Sequence, residues 1–205
     1  MVVVHLQHLW ILLKQGDSQA FEIIYRQTYP IMYRYALRVS GNSTSADQCI
    51  QNVFVRIWER RKRLGEAKNP QAYLLASLRR EILAEKQPMA TLQILPETHP
   101  SFSYSPQDLK LQQEEADLCR ETISCALNKL PVRQREAIYL RFYEELSVQE
   151  VAEVMEVRCQ SVQNFVYRGL QALRKDENLL MILPQRFPGI ERVSLILYLI
   201  SALSA

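Results

Sequence analysis

The chain has 205 residues, 48% of them hydrophobic, and a formal net charge of +3. This length accommodates two small domains, and the composition excludes collagen-like, low-complexity and membrane-dominated proteins. So small a positive charge permits a polyanionic partner without requiring one, and the placement of Arg and Lys therefore matters more than their sum.

Periodicity predicts helices throughout, with almost no strand alternation. The apolar N-terminus carries neither a basic leading region nor a small-residue cleavage site, so no signal peptide is expected and the chain is expected to be cytoplasmic. An amphipathic segment runs from Leu6 to Lys14 and breaks at Gly16-Asp17, where Asp17 can cap the next helix. In that helix Phe21, Ile24, Tyr25, Met32, Tyr35 and Ala36 form a core stripe, with a kink expected at Pro30. After a break at Gly41 to Ser45, the residues Cys49, Ile50, Val53, Phe54 and Ile57 recur at helical spacing. Arg56, Arg60 and Arg63 stack at i, i+4 and i+7 beside Arg61 and Lys62, so this helix ends as a basic rod. A loop, Leu64 to Lys68, leads to Asn69-Pro70, an N-cap followed by proline at the first helical position. In the helix that follows, Tyr73, Leu74, Ser77, Leu78 and Ile82 are expected to face inward, and Arg79, Arg80 and Lys86 outward.

From Pro88 to Asp108 four prolines, at 88, 96, 100 and 106, lie among Ser and Thr, which reads as an extended linker. A Gln- and Glu-rich helix is expected from about Gln107 to Lys129, packing through Leu111, Leu118, Ile123 and Leu127. Pro131 opens a supporting helix that carries Ile138, Leu140 and Phe142 and reaches Tyr143. Ser147 and Glu150 have the form of a capping box at the start of a short helix from about Val148 to Met155. Beyond it Val162, Phe165, Val166, Gly169, Leu170 and Leu173 share one helix face. These two helices have helix-turn-helix form, although the turn, Met155-Glu156-Val157, lacks the glycine that a positive φ favours, and Arg158 is a poor cap by type. The tail, Asn178 to Ala205, is apolar. Its last stretch is shorter than the roughly 20 residues a spanning helix needs. Docking on the second domain is the first expectation for it, with a handle for an inhibitory partner or a membrane-surface contact as alternatives.

The face opposite that stripe carries the types that read DNA. Asn and Gln bond the adenine edge bidentately, and Arg bonds guanine or phosphate. Arg158, Gln160, Ser161, Gln163, Asn164, Tyr167 and Arg168 are therefore candidate contacts to duplex DNA. Glu144, Glu145, Glu150, Glu153 and Glu156 all precede the second helix, which itself holds no acid up to Lys175. An ordinary solvated face on a helical hairpin is the competing reading. Cys49, Cys119, Cys125 and Cys159 form no CxxC pair, and with His5, His8 and His99 they make no metal set, so neither a metal nor a cofactor is expected. No nucleophile, general base and metal converge in sequence, and no enzymatic activity is expected.

Four stretches in order, LLKQGDSQAFEIIYRQTYPIMYRYALRV, ADQCIQNVFVRIWERR, NPQAYLLASLRREIL and LPVRQREAIYLRFYEELSVQEVAEVM, resemble bacterial RNA polymerase sigma factors of the extracytoplasmic-function group of the sigma-70 family. The resemblance implies an all-α fold of two small helical domains joined by a flexible linker, the second containing the helix-turn-helix. It divides the chain into a region-2-like domain (1–87), a linker (88–106), a region-4-like domain (107–176) and an apolar extension (177–205). It also implies a protein that binds core RNA polymerase and directs it to promoter DNA without catalysis, restrained by an anti-sigma protein. Membrane contact would be indirect or through the tail. The helix matching Ala46 to Arg63 would dock on the clamp helices of the largest polymerase subunit, which puts Asp47, Gln48, Gln51 and Asn52 at docking positions. Gln48 and Asn52 stand where the family commonly has carboxylates. The loop from Leu64 and the helix from Asn69 match the reader of the element nearer the start site, with Asn69, Tyr73, Arg79 and Arg80 as its candidates. Tyr73 stands where the family commonly has Trp, and Arg80 and Ala84 replace the usual Asn and Asp. By the same resemblance the helix from Arg158 to Leu173 would read the upstream element as duplex, with Gln160, Gln163, Asn164 and Arg168 at reading or phosphate-contact positions, and the linker matches the segment that threads the polymerase interior. A stand-alone helix-turn-helix regulator and a sigma-like polymerase adaptor are the alternatives, the latter drawing on Gln48, Asn52, Glu156 and Arg158.

Overall fold

A computed structural model describes residues 5–86, 102–104, 116–179 and 181, with residues 116–120 in backbone only. Among the described residues all regular structure is helical. Two compact units result, the first built from α1 to α4 and the second from the segment beginning at Phe102, α5, α6, most of α7, and α8.

In the first unit, α1 (Leu6–Gln15) ends at Gly16, whose φ of 95° reverses the chain at a cost that only a residue without Cβ avoids. The carboxylate of Asp17 then accepts from the N–H groups of Gln19 and Ala20 at 2.8 and 3.0 Å and starts α2 (Ser18–Ser40). That helix continues through Pro30. Asn42 caps α3 (Ser43–Arg60), which tightens into a single 3-10 turn at Arg61–Arg63. Asn69 caps α4 (Pro70–Glu85), its side-chain oxygen accepting from Gln71 and Ala72 N–H at 3.0 and 3.2 Å. Trp10, Leu13, Ile24, Met32, Tyr35, Ile50, Leu74, Leu78 and Ile82 are fully buried, and each large apolar side chain so placed stabilises the fold by about 1.5–3 kcal/mol.

Two expectations for α4 are corrected. Arg79 does not lie outside: it is only 7% exposed, because it shares the helix stripe of Leu75, four residues before it, and Ile82, three after it. Tyr73 does not face inward: it is 37% exposed, its ring meeting the edge of Trp10 with centroids 5.2 Å apart.

In the second unit, α5 is described from Ala116 to Asn128, and Ile123 and Leu127 are buried as their spacing predicts. The part expected at Gln107 to Glu115, with Leu111, lies outside the described residues. Val132–Ile138 forms α6, but the supporting helix reaches Tyr143 only by widening into a π turn at Tyr139–Tyr143, closed by Glu144 N–H to Tyr139 O at 3.1 Å. The turn buries Tyr139, whose hydroxyl donates to the Glu144 carboxylate at 2.5 Å. Glu145 follows with a φ of 54°. The capping box forms as read: Ser147 N–H reaches Glu150 Oε2 at 2.7 Å and Glu150 N–H reaches Ser147 Oγ at 3.3 Å, opening α7 (Val148–Met155). Glu156 adopts the left-handed conformation at φ 55°, so in this turn a non-glycine residue bears the strain. Then α8 runs from Cys159 to Arg174.

Within the stretch read as linker, Phe102 and Tyr104 are 1% and 5% exposed. Tyr104 exchanges two hydrogen bonds with the Asn128 side chain, its N–H donating and its C=O accepting, each at 2.9 Å. Phe102 packs against the Tyr139 ring at 5.3 Å. Linker residues 88–101, 105 and 106, and tail residues 180 and 182–205, lie outside the described residues, as do the expectations for them. Just before the tail, Asp176 accepts from the N–H groups of Asn178 and Leu179.

Candidate nucleic-acid interface

Of the seven candidates, Gln160, Gln163, Asn164, Tyr167 and Arg168 lie together on one exposed side of α8, Ser161 stands at its edge, and Arg158 precedes the helix. Val162, Gly169 and Leu173 bury the opposite side. That inward side is seated unusually close to α6: a Cβ on Gly169 would stand 2.6 Å from Ile138 Cδ1. The outward side then presents Gln160, Gln163, Asn164, Tyr167 and Arg168 as exposed residues, with Ser161 half-buried and Tyr167 65% exposed. Arg158 precedes the helix in extended conformation without a side-chain cap, so no side-chain oxygen occupies the positive end of the helix. A helix face about 16 residues long, with amides and a guanidinium side by side, fits a major groove, and its uncapped start favours phosphate.

The candidates for the start-proximal element divide. Tyr73 and Arg80 line one groove between α3 and α4, of about 300 Å³, together with Arg56, Arg60, Leu64 and Ser77. Asn69 spends its side-chain oxygen on capping, and Arg79 is buried. Arg56 and Arg60 were missed as site residues, although their i, i+4 stacking marked them as a charged ridge. One wall of this groove is pinned by a buried carboxylate: Glu81, 9% exposed, accepts from Asn52 Nδ2 at 2.9 Å and pairs with both terminal nitrogens of Arg56. Arg61 leaves the basic rod, folding over the Trp58 ring at 4.4 Å.

The docking candidates on α3 also divide. Asp47 is half-buried and accepts from the Tyr29 hydroxyl at 2.5 Å, a bond that, with burial second, pushes the Tyr29 phenol up to about 12. Asn52 is tied to Glu81. Gln48 and Gln51 are exposed, and Gln51 borders an apolar groove of about 520 Å³ with Phe21, Tyr25, Phe54, Val55 and Trp58. Val55 is 55% exposed at its rim. The outward face of α3 therefore offers amides and apolar surface where charge would be expected.

Among the described residues no group of His, Cys, Asp and Glu is arranged to hold a metal ion, and no helix is long and apolar enough to cross a membrane.

Comparison with known proteins places two family models on the chain: sigma-70 region 2 over residues 24–86 and sigma-70 region 4 over residues 120–173, together more than half its length. The chain is similar to the ECF RNA polymerase sigma factor SigL of Mycobacterium tuberculosis, at 24% identity over 160 residues that cover 78% of this chain and 89% of the relative. Its fold is similar to that of CnrH, solved in complex with the cytosolic domain of CnrY, with a TM-score of 0.54 at 20% identity, covering 82% of this chain and 94% of the other. It is likewise similar to the sigma factor RpoE of Bartonella quintana, solved with the anti-sigma factor NepR, with a TM-score of 0.52 at 20% identity, covering 79% and 98%.

Proposed function

The chain belongs to the sigma-70 family of RNA polymerase sigma factors, and from that membership we propose how its surfaces divide the work of an alternative sigma factor. It binds core RNA polymerase and directs promoter recognition and transcription initiation. The reading rests on one observation: regions 2 and 4 follow in order in a single chain, each with an exposed polar or basic surface.

In this reading α8 enters the major groove of the upstream element. Asn164 and the glutamines face base edges, Tyr167 offers its ring to thymine methyls, and Arg158 and Arg168 meet phosphates. The groove between α3 and α4 receives the opened strand nearer the start site. Unstacking a base costs a few kcal/mol, and Tyr73 supplies a stacking surface while Arg60 and Arg80 supply positive charge. Docking on polymerase uses Gln48, Gln51 and the apolar groove around Val55, so it depends on burial more than on charge attraction. The protein contributes recognition and strand opening, and the chemistry of RNA synthesis belongs to polymerase. It works in the cytoplasm, where polymerase and promoter DNA are, and an anti-sigma protein restrains it as NepR is bound to RpoE.

The test is reconstitution. The purified chain is mixed with sigma-free bacterial core polymerase and sheared DNA of its source organism, and transcripts are sequenced. Discrete starts that share two spaced upstream elements are expected. A chain that ignores polymerase yet retains specific duplex fragments would be a stand-alone regulator, and the proposal would fail.

A further inference from the structure

The loop Leu64–Lys68 joins the two helices on either side of it and begins at the buried Leu64. Glu66, Ala67 and Lys68 border a groove of about 540 Å³ whose opposite wall is α1, formed by Gln7, Trp10, Ile11 and Lys14. Two side chains of α1 reach across to the loop backbone. The Trp10 indole N–H donates to Gly65 O at 3.3 Å, and Gln7 Nε2 donates to Lys68 O at 2.5 Å. These bonds hold the loop near both ends. Trp10 is only 2% exposed, so its N–H must find a partner inside the fold or carry a desolvation cost. The same ring abuts Tyr73, the aromatic that lines the groove between α3 and α4, at an interplanar angle of 65°. One residue of α1 thus touches both the loop and the stacking surface. The region-2 match begins at residue 24 and assigns α1 nothing.

We propose that Trp10 and Gln7 are positioning residues that set base preference at the start-proximal element, by fixing the Gly65–Lys68 backbone and the Tyr73 ring before DNA arrives. This rests on the reading of that loop and α4 as the surface that meets the opened strand. Discrimination between bases needs donors, acceptors and a stacking plane held in place, and a loop pinned at both ends has less freedom to lose on binding. With the pins removed, the loop still joins α3 to α4 but samples several positions, and each base is accommodated more equally.

The experiment uses the full chain, core polymerase and a panel of templates in which each position of the two elements found by transcript mapping is changed singly. Trp10→Phe keeps an apolar ring and removes the N–H, and Gln7→Ala alters an exposed side chain with little risk to folding. For both variants, discrimination at the start-proximal element should fall about fivefold, the order expected when one intramolecular hydrogen bond is lost. Discrimination at the upstream element should be unchanged. Equal loss at both elements, or retained preference in Gln7→Ala and in a Trp10→Phe chain of native helicity, overturns the proposal. If Trp10→Phe fails to fold, Gln7→Ala decides alone. Wild-type chain that yields no discrete starts would instead remove the functional reading on which the proposal stands.

Discussion

Gly169→Ala tests whether α8, the helix proposed to read DNA, is seated by close approach to α6. The added Cβ would lie 2.6 Å from Ile138 Cδ1 and 3.5 Å from Gln134 Cβ. Carbon atoms in contact prefer about 3.5–4.0 Å, so the first of these is roughly 1 Å too close. Ile138 is 0% exposed and has no solvent to rotate into. Overpacking of this kind costs about 1–3 kcal/mol, against which replacing Gly by Ala in a helix interior returns about 1 kcal/mol. The net expectation is destabilisation of about 1 kcal/mol, with α8 displaced outward and upstream-element binding weakened. Ile138→Val deletes the opposing methyl and alone costs about 0.5–1.5 kcal/mol. Combined with Gly169→Ala it should cost less than the sum, with a favourable coupling of about 1 kcal/mol. Urea denaturation followed by circular dichroism gives the midpoints, and hydrogen exchange of the α6 and α8 amides localises the change. A Gly169→Ala chain as stable as wild type, with strictly additive behaviour in the pair, would refute the close-approach argument.

Glu85 accepts from Ser45 Oγ at 2.6 Å and Cys49 Sγ at 3.1 Å, and these bonds, in that order, hold its carboxyl below its ordinary value. A depressed carboxylate adds stability that is present above its unfolded pKa and lost as pH falls through the folded one. Glu85→Gln should therefore be less stable than wild type at pH 6, and the gap should shrink as pH falls below the ordinary carboxyl range in urea titrations across pH. A gap independent of pH would rule this out. Burial first, and then the bond to Glu85, push the Cys49 thiol up to about 12, whereas Cys125 and Cys159 are exposed. Iodoacetamide at pH 8 should label Cys125 and Cys159 in the native chain and reach Cys49 only under denaturant, as peptide mass spectrometry would show. Labelling of native Cys49 at a comparable rate would contradict its burial.

Periodicity and capping residues made most of the helical framework legible. Asp17, Asn69 and the Ser147–Glu150 pair each start a helix as read, because a cap is a local interaction between residues two or three apart. The exposed polar face of α8 was legible for the same reason, since an apolar stripe fixes what stands opposite. Arg79 went astray because residue type was weighed above helix position, and Leu75 and Ile82 had already marked its side as inward. The π turn at Tyr139–Tyr143, and the docking of Phe102 and Tyr104 on the second unit, depend on residues distant in sequence, which periodicity does not encode. The partners of Asp47 and Asn52 were hidden likewise. Tyr29 and Glu81 lie 18 and 29 residues away, and only the packing of helices brings them near.

The central claim is that the two units read two different promoter elements, and the most direct test is to map start sites genome-wide in vitro with the Asn164→Ala, Arg168→Ala double variant beside wild type. Aligning the upstream sequences of all starts gives the base preference at each element. Preference in the upstream element should be lost or altered while the start-proximal element and its distance to the start are retained. Equal change at both elements, or none at either, would contradict it.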